Sequence, residues 1–161
     1  MMSLRIRKAL PEDIQAIVDI AVEAFWKEYG NIEEARKAFR GPVARRWKHM
    51  IEDKTAIVLV AEKDKQVIGF LVFRWWFGWN GWLEAIAVKK EYRGMGIGTL
   101  LMRALIERAR RIGYTRICFA VRQNEEVIKF YRKFNAQRFG ELPDEDVGKL
   151  ILYFIHIGES I

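Results

Sequence analysis

Apolar and polar residues alternate from Ser3 to Ala9, the period-two pattern of a strand buried on one face. Pro11 then opens a helix with Asp13 in its first turn. Ile14, Ile17, Val18, Ala21, Val22 and Phe25 fall on one stripe at helical spacing. Asn31 followed by Glu34 is a capping-box pattern for a second helix. Gly41-Pro42 should break that helix, leaving the part with Trp47 and Met50 as a separate piece. Three strands are expected next: Thr55–Ala61, Val67–Phe77 and Trp82–Val88, joined by turns at Lys63-Asp64-Lys65 and Gly78-Trp79-Asn80-Gly81. A helical stripe from Ile97 to Ile112 stops at Gly113. Thr115–Val121 reads as a strand, Glu125–Phe134 as a helix, and Ala136–Leu142 and Leu150–Ile157 as closing strands. A meander followed by a strand-helix-strand unit predicts one mixed α/β sheet with helices on its faces.

The length of 161 residues suits one domain, and an apolar fraction of 51% with 30% charged residues is a globular balance. The net charge of +7 points to an anionic partner: a nucleotide cofactor, nucleic acid or a membrane surface. No run of about 18 apolar residues is present, so no membrane span is expected. The N-terminal residues lack the apolar core of a signal peptide, and a cytoplasmic protein is expected. One cysteine, Cys118, forms no internal disulfide, and His49 and His156 lie far apart, so no metal site is expected. No helix-turn-helix, zinc-finger or RNP motif supports nucleic-acid binding.

The chemistry concentrates in Arg93-Gly94-Met95-Gly96-Ile97-Gly98-Thr99, which joins a strand to a helix. Glycines let the backbone turn tightly and approach a ligand. The unpaired N–H groups of a helix start carry the positive end of its dipole, so the turn can cradle phosphate. A tight connection alone would also explain the glycines. A Walker loop needs GxxxxGK[ST], which is absent. A dinucleotide fingerprint needs GxGxxG after an early strand, and this turn follows a meander.

Leu83-Glu84-Ala85-Ile86-Ala87-Val88 followed by Glu91-Tyr92-Arg93-Gly94-Met95-Gly96-Ile97-Gly98 resembles the acetyl-CoA-binding motif of the GNAT superfamily of N-acetyltransferases. Arg93, Gly96 and Gly98 satisfy its core pattern, Q/R-x-x-G-x-G/A, and Asn124 with Phe130-Tyr131 matches the following segment. The motif residues lie within 82–136, while the element order agrees along nearly the whole chain. Lys90 stands where members often carry Pro, and Asn135-Ala136 where they often carry Gly-Phe. Asn tolerates the left-handed conformation, so Asn135 can take the glycine's place.

The resemblance implies a mostly antiparallel sheet of six or seven strands with helices on both faces. It implies acetyl-CoA as co-substrate, a primary amine as acceptor, and direct attack within a ternary complex. The backbone of Ile86, Ala87 and Val88 would pair with the pantetheine arm, which requires a splay leaving its polar groups free. The N–H groups of Gly94, Met95, Gly96, Ile97, Gly98 and Thr99 would hold the pyrophosphate, with Arg93 adding charge. Asn124 would bond the pantetheine arm, and Tyr131 would protonate the departing thiolate. Among relatives, the Leu-Glu-x-x-x-Val arrangement is most similar to diamine (spermidine-type) acetyltransferases, in which a Glu at the position of Glu84 is the base. Phe119 occupies the base position of ribosomal-protein acetyltransferases and cannot titrate. Dimers are common in similar proteins, so a homodimer is compatible.

Glu84 is the ionisable residue of its strand, and strict alternation places it on one face with Ile86 and Val88. Apolar surroundings would raise its pKa towards that of a useful base. A solvated face, or a pair with Arg74, are the other readings, and a water chain could remove the amine's proton instead. Trp75, Trp76, Trp79 and Trp82 could line an acceptor pocket or pack a hairpin. Glu23, Glu28, Glu33 and Glu34 read as a solvated face or as a lure for a polyamine, and Arg103, Arg108, Arg110 and Arg111 as a solvated helix face or as a contact for the cofactor's 3′-phosphate or nucleic acid. A non-catalytic acyl-CoA sensor would use the same cradle.

Overall fold

A computed structural model describes residues 3–144 and 148–158. Seven strands form one sheet in the order β1-β2-β3-β4-β5-β7-β6. These are β1 (Leu4–Lys8), β2 (Ile57–Lys63), β3 (Gln66–Phe77), β4 (Asn80–Val88), β5 (Arg116–Arg122), β6 (Gln137–Asp144) and β7 (Gly148–His156). Only the β4–β5 pairing is parallel; every other neighbour is antiparallel. Helices α1 (Ile14–Phe25), α2 (Ile32–Ala38) and α3 (Ala44–Glu52) precede β2, α4 (Ile97–Ile112) links β4 to β5, and α5 (Glu125–Arg132) follows β5. The expected order and the helix break hold: Phe39–Val43 is a wide turn kinked at Gly41.

Two apolar cores flank the sheet. One packs Leu59, Leu71, Phe73 and Phe119 against Leu101, Leu105 and Tyr131 from α4 and α5. The other packs Val60, Phe70 and Val72 against Ile17, Ala21 and Trp47 from α1 and α3. The alternation of β2 and β3 feeds both faces, which is why Ile57–Ala61 and Val67–Phe73 carry no polar side chain. Asp13 anchors β1 instead of only facing a helix dipole: its carboxylate accepts two bonds from Arg7, at 2.7 and 3.0 Å, and one from the Leu10 N–H at 2.7 Å. Asn135 takes φ = 56° after α5, the left-handed role read from its sequence position.

Two irregularities shape β4. Its ladder to β5 covers only Asn80, Gly81 and Trp82, so the strands part beyond Trp82 and Leu83–Val88 is paired on the β3 side alone. Opposite Val72 and Phe73 the register jumps from Ala85 to Leu83, which makes Glu84 the extra residue of a β-bulge.

Candidate active site

A cleft of about 1210 Å³ opens where β4 and β5 part. Glu84, Ile86, Ala87, Val88, Arg93, Gly94, Gly96, Ile97, Gly98, Thr99, Asn124 and Tyr131 all line it. Met95 is the exception: its side chain is 61% exposed on the outside of the turn.

The cradle is built as its chemistry requires. Gly94 and Gly96 take φ of 79° and 80°, where a side chain strains the backbone, and a Cβ at either would meet open space. That space is where a ligand can touch the main chain. The first bond of α4 runs from the Leu100 N–H to the Gly96 carbonyl at 3.1 Å, so the N–H groups of Ile97, Gly98 and Thr99 have no helical acceptor. The 16-residue α4 adds its dipole at this end. These donors fit a pyrophosphate. Arg93 lines the same end of the cleft and also holds the strand. Its Nε donates to the Val88 carbonyl at 3.0 Å and its guanidinium lies 3.8 Å from Glu23, so it pins the end of β4. The Val88 carbonyl is therefore engaged, and a pantetheine arm would use the rest of the splayed strand.

Asn124 has two jobs at different atoms. Its Oδ1 caps α5, accepting from the Glu126 and Val127 N–H groups at 3.0 and 3.3 Å. Its amide donors remain for the cleft. Tyr131 is buried against Phe119, with ring centroids 4.1 Å apart, and its hydroxyl makes no hydrogen bond among the described residues. Burial pushes the phenol up from its ordinary value, so the hydroxyl keeps its proton at neutral pH.

Glu84 differs from two expectations. The bulge inverts the alternation, so Ile86 and Val88 pack towards α4 and α5 while Glu84 turns to α3 on the opposite face. Its environment is also polar. Trp47 donates its indole N–H to Oε1 at 2.9 Å, Arg46 pairs with the same oxygen, and Arg74 Nε donates to Oε2 at 3.3 Å. Burial pushes the carboxyl up, but the bonds from Arg46 and Trp47 and the charge of Arg74 outweigh it, and its pKa is lowered. The pair with Arg74 was one of the sequence readings; Arg46 and Trp47 were not foreseen.

Glu28 and Tyr29, after α1, complete this end. Glu28 lies 3.9 Å from Arg122 of β5 and is raised from its ordinary value because burial exceeds the effect of that charge. A solvated-face reading misses its place, which depends on the wide turn at Phe39–Val43 that brings α3 to the cleft. Of the hairpin tryptophans, only Trp82 lines the cleft; the Trp76 ring lies 5.2 Å from it, tilted by 59°, and Trp75, Trp76 and Trp79 are exposed. Cys118 is buried, and that burial raises its thiol, which leaves it inert. His49 and His156 are exposed and outside the cleft. No helix among the described residues is long and apolar enough to cross a membrane.

The acetyltransferase (GNAT) family matches residues 18–136 of the chain. A Methanocaldococcus jannaschii protein named as an uncharacterized N-acetyltransferase is 48% identical over 46 residues, 29% of each chain. The thialysine N-epsilon-acetyltransferase of Mus musculus is 33% identical over 73 residues, 45% of this chain and 43% of that one. The chain thus aligns with less than half of the length of these two curated relatives. The PaiA N-acetyltransferase of Thermoplasma acidophilum, solved in complex with coenzyme A, shares the fold with a TM-score of 0.77 and 22% identity, over 96% of this chain and 99% of that one.

Proposed function

Since the chain belongs to the acetyltransferase (GNAT) family, and is an N-acetyltransferase with acetyl-CoA as co-substrate, we propose that it acetylates a primary amine by direct attack in a ternary complex. The observation that carries this reading is the parting of β4 from β5. It frees backbone donors and acceptors along Leu83–Val88 in the same cleft as the phosphate cradle and Tyr131. A catalytically silent sensor would need the cradle but no buried, protonated phenol at the cleft wall.

Acetyl-CoA supplies the activated acyl group and a thiolate leaving group. The backbone N–H groups of the Gly94–Thr99 turn bind its pyrophosphate, and the Asn124 amide and the strand's free polar groups orient the arm. The amine nitrogen attacks after losing one proton, forms the N–C bond as the C–S bond breaks, and releases its second proton to solvent. Tyr131 gives its hydroxyl proton to the thiolate and recovers one from solvent. Glu84 is the carboxylate positioned to take the amine's proton, directly or through water. Its ion pairs keep it ionised and ready to accept, at the cost of weak basicity. No cysteine or serine stands in the cradle or the splayed strand to form an acetyl-enzyme.

The aromatic ledge of Trp82 and Trp76, running from the cleft to the hairpin tip, favours a second reading in which the amine belongs to a peptide. Titration of acetyl-CoA by calorimetry, followed by mass spectrometry of an amine and peptide panel, tests both. Micromolar binding with transfer to one class supports the enzyme and identifies the acceptor class. Absence of acetyl-CoA binding overturns the proposal.

A further inference from the structure

The charges at the acceptor end do not suit a purely cationic substrate. Three guanidiniums, Arg46, Arg74 and Arg122, stand against two carboxylates, Glu84 and Glu28. Glu84 offers little to an arriving ammonium. Three donors already occupy its oxygens and its side chain is only 14% exposed. A carboxylate has about four lone-pair sites in all, so the three donors leave about one, on Oε2 beside the Arg74 guanidinium, whose charge opposes a cation there.

Arg46 is in the opposite condition. It sits on α3, half exposed, and lines the cleft. One of its nitrogens meets Glu84, and it makes no other hydrogen bond among the described residues. A guanidinium carries five N–H donors in a planar fork matched to a carboxylate. The rest of that fork has no partner among the described residues.

We infer that the acceptor is an amine that also carries a carboxylate, and that Arg46 is the residue that reads it. The inference rests on the N-acetyltransferase reading and names the substrate class of that site. It also links recognition to chemistry. As the incoming carboxylate draws Arg46 towards itself, Glu84 loses one of its three donors. A lone pair on Oε1 is freed for the amine N–H, and with one cation fewer beside it the remaining burial makes Glu84 a stronger base. An acceptor lacking the carboxylate leaves the Arg46–Glu84 pair intact and Glu84 a weak base.

The test compares amines that differ only by the carboxylate: L-lysine with cadaverine and L-tyrosine with tyramine, with spermidine as the polycation. An acidic peptide beside its amidated, neutral counterpart separates a free amino acid from a peptide carboxylate. Acetyl-CoA binding is measured on each protein first, so loss of the cofactor site is read separately from loss of acceptor preference. The expected result is kcat/KM about tenfold or more in favour of the acid-bearing member of a pair, as a charge-assisted bond confers. Arg46→Gln should collapse that ratio towards one, while Arg46→Lys restores part of it. Equal or better turnover of cadaverine, tyramine or spermidine overturns the inference. So does an unchanged ratio in Arg46→Gln, or silence over the whole panel while acetyl-CoA still binds.

Discussion

Trp47 donates its indole N–H to Glu84 at 2.9 Å, and this bond, together with the Arg46 ion pair, joins α3 to the bulge of β4. The indole is otherwise buried against Phe39 and Phe70, so it cannot follow the carboxylate elsewhere. The bulge delivers Glu84 to the face where Trp47 and Arg46 wait, and the two features depend on each other.

Glu84→Gln keeps an acceptor for Trp47 but removes the charge that pairs with Arg46 and Arg74. Turnover should fall by about 10–100-fold, with acetyl-CoA binding retained. Stability should change with pH in a defined sense. The folded pKa of Glu84 is lowered, so the ionised group stabilises the fold above its unfolded value of about 4.3. That contribution is lost as pH falls through the folded value. Thermal melts should therefore show the wild type above the variant at pH 7 and the two converging towards pH 3. Unchanged kinetics would remove Glu84 from the reaction.

Tyr131→Phe keeps the ring on Phe119 and removes only the hydroxyl. Its kcat should fall by about 100-fold, as the loss of a general acid does, while the Kd for acetyl-CoA stays within about threefold. Because burial raises the phenol, no ionisation of Tyr131 should limit the rate near neutrality, and any alkaline decline it causes begins above pH 10. Single-turnover and binding measurements on both proteins decide this. Equal activity of the variant ends the acid assignment.

Much of this site was legible in the sequence because its chemistry is local. The Gly94–Thr99 turn, the helix after it and the Asn124 cap each depend on neighbours within a few residues. Of the surroundings of Glu84, only the pair with Arg74 was legible. Period-two reading puts it beside Ile86 and Val88, and nothing near it announces the extra residue that turns it to the other face. Its partner Trp47 lies 37 residues away, on a helix whose position is set by the kink at Gly41. Glu28 was hidden for the same reason: a lone acid after an amphipathic helix looks solvated until the chain folds back over the cleft. The early strand limits show a smaller effect. Thr55 was read as the start of a strand, but Asp53 captures its N–H at 2.8 Å and its hydroxyl at 2.9 Å, and β2 begins at Ile57.

Gly96→Glu should abolish acetyl-CoA binding in calorimetry. The residue lies at φ = 80°, and its Cβ would enter the open space of the cradle. Left-handed backbone costs a non-glycine residue about 1–2 kcal/mol, enough to lower the melting temperature by several degrees but not to unfold the domain. The added carboxylate also repels a pyrophosphate. Binding of unaltered strength would move the phosphate site away from this turn.

Asn124 allows its capping and binding roles to be separated by one atom. Asn124→Asp keeps an oxygen for the Glu126 and Val127 N–H groups and places a negative charge at a helix N-terminus. The fold should therefore hold its melting temperature. The change removes both amide donors, and the new charge faces an anionic ligand, so acetyl-CoA should bind about tenfold or more weakly. Asn124→Ala loses the cap as well, at about 1 kcal/mol, and should both melt earlier and bind less tightly. Melting curves and calorimetric titrations of the two variants give a clear pattern. Loss of binding in both with loss of stability only in Ala places the amide donors on the ligand. Full affinity in the Asp variant would confine Asn124 to the end of α5.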